Sequence, residues 1–326
     1  MAEFDFAIAG TDVFSALLAG LLARDHGKKI VRIGPVPSPQ RLWRQVPLSL
    51  PLTASPVRWS IAEQASAETL SLVGAIGARD ALRPVECGVV SDTVASAGAL
   101  DHIAHLAAGS GHQLRRLKHG WAFRRVALID RDAIDAKLAE WLRTLNVATL
   151  EGTEADAAAT ILADDAAILD RLPETARPEI LHSPAMTSTL LATRQTGEAV
   201  QIFLDRGVTL LARPGGTSLA LVSGEASVDA RLASTLHGPF PVKRLATTHY
   251  RRLVMRDGAP LIGRPKGSKA IIIAGLGANA AFMAPAIARF LAGSASAEEK
   301  ACLGAHDPSR PRDSLIDFMP SVELLP

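Results

Sequence analysis

Residues 4–33 read FDFAIAGTDVFSALLAGLLARDHGKKIVRI. The apolar run from Phe4 to Ala9 predicts a buried strand, and residues 17–24 are strong helix formers. After a turn at Gly27, residues 28–33 are typical of a second strand. A strand–helix–strand unit of about 30 residues is the usual beginning of a doubly wound parallel sheet. The chain is therefore predicted to be an α/β protein with a Rossmann-like domain.

The rest of the chain predicts a second sheet, inserted between parts of the first domain. Residues 188–222 alternate as strands and are interrupted by glycines, which favours an antiparallel sheet. A strand at 271–273 and a helix at Ala280–Ala292 then close the chain. We predict a discontinuous Rossmann-like domain (residues 1–35, about 125–170 and 255–295), a mixed-sheet second domain (about 36–124 and 171–254) and a loosely packed C-terminal extension (296–326).

Composition limits the class of protein. A chain of 326 residues at about 150 residues per domain is expected to form two domains. The hydrophobic fraction of 48% excludes a disordered chain, and 35 basic against 33 acidic residues give no field that attracts nucleic acid. Nine Phe, four Trp and one Tyr are too few for base-stacking platforms. The two cysteines, Cys87 and Cys302, exclude a disulfide scaffold and a four-thiolate metal site.

The apolar segments at the two ends are predicted to be core elements rather than targeting or membrane segments. The N-terminus lacks a basic region, and Asp5 and Asp12 interrupt its apolar run. Residues 270–288 carry no charge and are long enough to span a membrane. Gly275 and Pro285 divide this stretch, however, into a short strand and a helix. We expect a cytoplasmic protein that binds no membrane.

The most specific pattern lies near the C-terminus. Residues 256–263 read RDGAPLIG, residues 271–275 read IIIAG and residues 279–286 read NAAFMAPA. The pattern resembles the D-amino-acid oxidase and glycine oxidase family of FAD-dependent oxidoreductases. In that family a DGxPxIG segment precedes a strand ending in AG, an Asn-Gly pair and an APAxA helix opening. The resemblance covers about 35 N-terminal and about 50 C-terminal residues of the chain. It implies a discontinuous FAD-binding domain with a second, mixed-sheet substrate domain.

The resemblance also implies a reaction, in which FAD oxidises the C–N bond of a small amine or amino acid. Glycine-oxidase-like members hold a substrate carboxylate with an arginine five residues before the DG pair, which is Arg252 here. Strand alternation places Tyr250 on the same face, and an arginine fork with a tyrosine hydroxyl suits a carboxylate. The alternative is that Arg252 pairs with an acidic neighbour and Tyr250 packs in a core with its hydroxyl satisfied.

Small residues at both ends of the chain are predicted to line the cofactor. Gly275 and Gly277 let the backbone approach a flat ligand, and a helix beginning near Asn279 points free N–H groups at an anionic reduced flavin. At the other end, Gly10 gives the tight turn of a dinucleotide fingerprint, and Ser15 permits close packing of helix on strand.

Three positions depart from the family pattern. The fingerprint G-x-G-x-x-G is GTDVFS at residues 10–15, so Asp12 stands where the second glycine normally meets the pyrophosphate. Two like charges about 4 Å apart repel by about 4 kcal/mol at an effective dielectric constant near 20. Gly34 replaces the acidic residue that should hold the adenosine ribose. Ala280 replaces the glycine of the Asn-Gly pair.

These departures leave three functions open. The resemblance favours an FAD-dependent oxidoreductase acting on a small amine or amino acid. Asp12 and Gly34 favour a cofactor-free, non-catalytic subunit of the same fold in a hetero-oligomer. A flavin-dependent monooxygenase is the third, because an Asp130-Arg131 pair before a helix also occurs in hydroxylases, although the usual C-terminal Gly-Asp segment is absent. The chain is expected to form homo- or hetero-oligomers.

Overall fold

The structure, a computed structural model, describes residues 2–34, 41–152, 154–193, 197–224, 227–236 and 242–311. Its strands form a six-stranded sheet, an eight-stranded sheet and a two-stranded ribbon. In chain order the strands are β1 (Phe4–Ala9), β2 (Ile30–Ile33), β3 (Leu82–Val90), β4 (Leu114–Leu117), β5 (Gly120–Ile129), β6 (Ala148–Leu150), β7 (Ala157–Leu162), β8 (Leu181–His182), β9 (Ala185–Leu191), β10 (Val200–Phe203), β11 (Val208–Arg213), β12 (Thr217–Ser223), β13 (Arg244–Arg251), β14 (Val254–Met255), β15 (Leu261–Gly263) and β16 (Ile271–Ala274).

Helices connect and cover these strands. In chain order they are α1 (Val13–His26), α2 (Pro56–Ala75), α3 (Val94–Gly109), α4 (Arg131–Thr144), α5 (Asp165–Arg171), α6 (Val228–Thr235), α7 (Ala280–Ala292) and α8 (Ala297–Gly304). The helix predicted over Ala280–Ala292 is confirmed by α7, which a 3₁₀ turn at Gly277–Asn279 introduces.

The six-stranded sheet contains the predicted strand–helix–strand unit. Its order is β15-β16-β7-β1-β2-β6, and every pair except β15 with β16 is parallel. Within the unit, α1 ends at Gly27, whose φ of 61° lies in the left-handed region that terminates helices. The α/β class is confirmed, and this sheet takes strands from both ends of the chain.

The eight-stranded sheet comes from the middle of the chain. Its order is β13-β9-β12-β11-β10-β3-β5-β4, and it is mixed because β10 pairs parallel with β3 while the other pairs are antiparallel. The strands predicted over residues 188–222 are confirmed by β9 to β12, which lie side by side in this sheet.

Hydrophobic cores cover both faces of the six-stranded sheet. On one face α1, α2, α4 and α7 enclose a continuous cluster in which Phe14 and Phe282 are at most 2% exposed. Helices α1 and α4 pack so closely that a Cβ atom at Gly20 would lie 2.2 Å from the ring of Trp141. The opposite face is covered by α5 and the segment around Met255. Helix α2 therefore packs on the parallel sheet, although its residues fall within the range predicted for the substrate domain.

A proline-rich segment between β2 and α2, described from residue 41 onward and called the crossover below, links the two sheets. Leu48 and Leu50 of this segment are buried, and Leu48 bridges to Leu128 of β5. The N–H of Leu48 donates to the carbonyl of Ala278 at 2.8 Å, and Asn279 Nδ2 donates to the carbonyl of Leu48 at 3.2 Å. The crossover thereby fixes the loop that precedes α7.

The prediction of a loosely packed C-terminal extension is wrong for residues 296–311. Helix α8 begins with a capping box, in which the Ser296 hydroxyl accepts from the N–H of Glu299 and the Glu299 carboxylate accepts from the N–H of Ser296. Glu299 also pairs with Arg289 of α7. Beyond α8, Arg310 forms a buried ion pair with Asp257 at 2.8 Å. These contacts dock the segment on the parallel sheet; residues 312–326 lie outside the described residues.

Within the described part of the chain, no single helix has the length and apolar composition needed to cross a membrane. Residues Gly277–Ala292 and Ala297–Gly304 satisfy that test only when taken together, and they meet at an angle of 98°.

Candidate functional site

A cleft lies at the carboxyl ends of β1, β7 and β16, the edge where parallel sheets of this type bind ligands. It has a volume of about 1030 Å³, open solvent included. Its walls are the loop from β1 into α1, the start of α5, the loop between β16 and α7, the end of β13 and the proline-rich crossover.

The structure brings some of the predicted site residues together and separates others. Those that line the cleft are Asp12, Tyr250, Arg252, Gly275, Gly277 and Ala280. Asn279 lines a neighbouring cavity instead. Gly10, Ser15 and Gly34 are not among the residues that line either space. Ser15 is fully buried, where it permits the close packing of α1 that the fingerprint predicts.

Asp12 turns back onto the helix that it precedes. Its carboxylate accepts a hydrogen bond from the N–H of Ser15 at 2.8 Å, and the Ser15 hydroxyl donates to the carbonyl of Asp12 at 2.8 Å. This is an N-cap, which satisfies one of the free N–H groups at the start of α1. The Asp12 carboxylate therefore already accepts a hydrogen bond from an N–H group at the start of α1, and a pyrophosphate at that position would have to compete with it.

A second carboxylate, that of Asp164, accepts hydrogen bonds from the same β1–α1 loop. Asp164 accepts from the N–H of Thr11 at 2.7 Å and from the Thr11 hydroxyl at 3.2 Å. It also caps α5 by accepting from the N–H of Ala167 at 2.7 Å. The contact of Asp164 with Thr11 spans 153 positions of the sequence. Asp12 and Asp164 together supply acceptors to the loop that a dinucleotide would otherwise approach.

Two carboxyl groups that line the cleft, Asp12 and Asp165, have raised pKa values. Burial, followed by the charge of Asp164, raises the pKa of Asp12 to about 7. Burial also raises the pKa of Asp165 to about 6, although the Arg252 charge and the N–H of Leu253 oppose that shift. Asp12 is therefore close to half protonated at neutral pH.

Because the pKa of Asp12 is raised in the folded protein, the free energy of unfolding is expected to depend on pH. The folded state binds the proton more tightly than the unfolded state, so the free energy of unfolding falls as the pH rises from about 4 to about 7. Asn in place of Asp12 keeps an oxygen for the Ser15 N–H and removes the ionisation. We expect Asp12→Asn to be more stable than the wild type by about 1–2 kcal/mol at about pH 8 and by much less near pH 4.

Urea unfolding of both proteins across that range measures the effect. The matched control is Asp80→Asn, which alters an exposed acid at the start of a 3₁₀ turn. Its difference from the wild type is expected to stay within about 0.5 kcal/mol at every pH. A pH-independent difference for Asp12→Asn would contradict the raised pKa.

Gly34, which replaces the acidic residue expected to hold the ribose, lies beside the guanidinium of Arg171. Gly34 directly follows β2 and has φ of 119°, and its N–H donates to the carbonyl of Leu150. A Cβ atom at Gly34 would lie 3.4 Å from the guanidinium of Arg171, which donates to the carbonyl of Gly152. This position therefore carries no carboxylate for a ribose hydroxyl and has an arginine beside it.

Tyr250 already has a hydrogen-bond partner. Its hydroxyl donates to the carbonyl of Arg44 at 2.8 Å, and the Arg44 guanidinium stacks over its ring at 5.2 Å. Burial raises the pKa of Tyr250 to about 12. Tyr250 thus matches the alternative of a packed tyrosine with a satisfied hydroxyl, and it positions the crossover.

Arg252 is partly buried and lines both the cleft and the neighbouring cavity. It follows β13, and its N–H donates to the carbonyl of Pro184 at 3.1 Å. The guanidinium lies 3.7 Å from the place where a Cβ atom at Gly277 would stand, and its charge is the strongest influence lowering the pKa of Asp165. Arg252 can meet an anion from either the cleft or the neighbouring cavity.

Two arginines of the cleft were not predicted from the sequence. Arg41 donates to the Thr11 hydroxyl at 3.2 Å, and Arg44 lies on Tyr250. Burial lowers the pKa of both. Both lie in the proline-rich crossover. Arg131, half of the Asp130-Arg131 pair, also lines the cleft, while Asp130 caps α4 by accepting from the N–H of Asp132.

The glycines before α7 have different neighbours. Gly275 has φ of 73°, a left-handed conformation that favours glycine, and a Cβ atom there would also lie 1.6 Å from the Met255 methyl carbon. Gly277 has φ of 59° and faces Arg252 across the space between the two cavities. Gly277 is therefore the glycine that leaves room for a ligand.

The residues present do not fit the diphosphate and ribose of FAD. The Thr11 and Ser15 N–H groups are bonded to carboxylates, the ribose position lacks its acid, and a third carboxyl, Asp165, lines the same cleft. Among the described residues no group of three or more His, Cys, Asp or Glu side chains could hold a metal ion.

Solved structures share this architecture. Glycine oxidase from Geobacillus kaustophilus superposes with a TM-score of 0.68 at 16% identity, over 96% of this chain and 100% of that one. The chain has the glycine oxidase fold. L-proline dehydrogenase from P. horikoshii gives a TM-score of 0.64 at 11% identity over 94% and 97% of the two chains. Amadoriase I, a fructosyl amine:oxygen oxidoreductase from Aspergillus fumigatus, gives 0.64 at 14% identity over 97% and 95%.

At these identities the likeness establishes the fold, while the chemistry depends on the residues of the site. No protein-family profile matches the sequence, and no curated protein matches it.

Proposed function

We propose that this chain acts without FAD, as a non-catalytic subunit built on the glycine oxidase fold. One observation carries the proposal: the carboxylates of Asp164 and Asp12 occupy the Thr11 and Ser15 N–H groups of the β1–α1 loop. In dinucleotide-binding proteins of this class the pyrophosphate lies at that loop and helix end. A ligand with two phosphates must displace these acceptors and then remain beside their charge.

The energetic penalty is large enough to matter. One carboxylate about 4 Å from a phosphate contributes about 4 kcal/mol of repulsion at an effective dielectric constant near 20, which is about three decades of affinity. The raised pKa of Asp12 reduces its mean charge and hence its share. Asp164 and Asp165 add theirs, and Gly34 offers the ribose no carboxylate.

The second sheet supports the subunit role. Its edge strand β13 pairs with β9 on one side and with no strand of the described residues on the other. Residues 244–247 of this strand are exposed, including Leu245. An open strand edge offers unpaired backbone groups to another chain.

A second function is favoured by a different set of residues. Arg252, Gly277 and Ala280 line the cleft at the carboxyl ends of the parallel strands, which is the edge of the sheet where ligands bind in folds of this kind. In this alternative the chain binds FAD and oxidises the C–N bond of a small amine or amino acid, with the substrate carboxylate on Arg252. The two functions differ in whether a flavin is bound.

The visible absorption spectrum of the purified full-length chain separates them. We record it before and after incubation with FAD and removal of the excess, with a glycine oxidase stripped of FAD and reconstituted in parallel. The proposal expects no flavin absorption from this chain in either spectrum, while the control recovers its yellow colour. A stoichiometric flavin spectrum would overturn the proposal and make an oxidase assay on small amines the next measurement.

A further inference from the structure

The cavity beside the cleft is a separate space of about 1080 Å³, open solvent included. It lies on the other side of the Gly275–Ala278 loop, between the two sheets. Most of its walls are aliphatic, and they include Leu48 and Leu50 of the crossover, Ile61 of α2, Ile202 and Leu221 of the eight-stranded sheet and Met283 of α7. An apolar cavity with a few convergent polar groups is the usual form of a small-molecule site.

His306 places a hydrogen-bond acceptor in this wall. The side chain follows α8 and is 2% exposed. Its Nδ1 lies 2.6 Å from the carbonyl oxygen of Cys302, which can only accept, so Nδ1 carries the proton and Nε2 carries the lone pair. Nε2 is buried and has no hydrogen-bond partner among the described residues. Burial, with the nearby charges of Arg58 and Arg310, lowers the pKa of His306 to about 3, so the ring is neutral.

Arg58 places a cation in the same cavity. It extends from the first turn of α2, and its charge acts on both His306 and Cys302. Burial lowers its pKa to about 10, which leaves the guanidinium charged at neutral pH. The wall therefore combines an apolar surface, a buried acceptor and two cations, Arg58 and Arg252.

We propose that this cavity binds a small, mainly apolar carboxylate that carries a hydroxyl group. The carboxylate pairs with Arg58, the hydroxyl donates to His306 Nε2, and the carbon skeleton packs on the aliphatic walls. The inference rests on the proposed function in one respect, because the cavity is open to such a ligand when no flavin lies against residues 275–278.

The test compares three probes that differ only in a hydroxyl group. Phenylacetate, 3-hydroxyphenylacetate and 4-hydroxyphenylacetate are titrated into the full-length chain by isothermal calorimetry. One hydroxylated probe is expected to bind about fivefold or more tightly than phenylacetate, the effect of pairing one buried acceptor. Equal dissociation constants for all three probes, as expected if water already serves Nε2, would overturn the proposal, as would no binding.

Variants assign the preference to its residues. His306→Leu is expected to keep phenylacetate binding and to lose the preference for the hydroxyl, while His306→Gln, which retains an acceptor, restores part of it. Arg58→Gln is expected to weaken all three probes about tenfold or more. His105→Leu, an exposed histidine on α3, is the control and should leave the three constants unchanged. A preference that survives His306→Leu would remove His306 from the site.

The two proposals fail separately. The visible spectrum of the same preparation reports bound flavin, and its appearance overturns the proposed function. A colourless chain that shows no preference among the probes overturns only the inference about His306.

Discussion

Replacing Arg310 by methionine is expected to lower the free energy of unfolding by about 3–5 kcal/mol. The guanidinium donates from Nε to Asp257 Oδ2 at 2.9 Å and from Nη2 to Asp257 Oδ1 at 3.0 Å. The two side chains are 4% and 0% exposed. Methionine follows the path of the arginine stem but leaves the Asp257 carboxylate buried without a cation, and that unpaired charge is the source of the loss.

The same guanidinium also satisfies three backbone carbonyls. Its Nη1 donates to Pro260 at 2.8 Å and to His306 at 3.1 Å, and its Nη2 donates to Ala259 at 2.9 Å. These bonds hold the segment after α8 against the residues before β15. The methionine variant leaves these acceptors without that partner, which adds to the cost.

Urea unfolding at neutral pH measures this effect. The control is Arg143→Met on the exposed face of α4, for which the change should stay within about 0.5 kcal/mol. A double variant, Arg310→Met with Asp257→Leu, removes both charges and is expected to recover more than half of the loss. A loss below about 1 kcal/mol in the single variant would show that water, rather than Arg310, stabilises Asp257.

The elements that sequence alone predicted are those with local signals. Residues 4–33 form their strand–helix–strand unit because apolar runs, a helix former and Gly27 each act within a few positions. The helix at Ala280–Ala292 lies between Gly277 and Gly293, which mark its two ends in the sequence. The C-terminal segment carried one local signal, the S-x-x-E capping box at Ser296 and Glu299 that begins α8. Its docking could not be predicted, because it depends on Arg310 and Asp257, which are 53 positions apart.

For the site, too, the sequence predicted the residues that belong to a local motif and not those that long-range contacts bring together. The fingerprint at residues 10–15 located the cleft and drew attention to Asp12. It could not locate Asp164, because the hydrogen bond from Thr11 to Asp164 joins the loops that follow β1 and β7, two neighbouring strands that are far apart in the sequence. Nor could it locate His306, because only the folded structure shows that its Nε2 atom is buried with no hydrogen-bond partner among the described residues. Residues whose role depends on long-range contacts have no periodic pattern in the sequence.

Asp12→Gly is expected to strengthen FAD binding by about 100-fold over the wild type. The substitution removes one carboxylate from the start of α1, frees the N–H of Ser15 and restores the second glycine of the fingerprint. Full removal of a charge about 4 Å away would give about three decades, and the raised pKa of Asp12 reduces that figure. Glycine is itself an acceptable N-cap, so the helix should lose only a few tenths of a kcal/mol.

Flavin fluorescence during titration with each protein measures the change, and Asp12→Asn separates charge from shape. If repulsion dominates, Asp12→Asn gains most of the affinity that Asp12→Gly gains. If the side chain blocks the pyrophosphate by its volume, only the glycine variant gains. Weaker binding by Asp12→Gly would mean that the Asp12 carboxyl assists the ligand, as a proton donor with a pKa of about 7 can do for a phosphate oxygen. In that case affinity should also fall as the pH rises through 7, because the donor form of Asp12 is then lost.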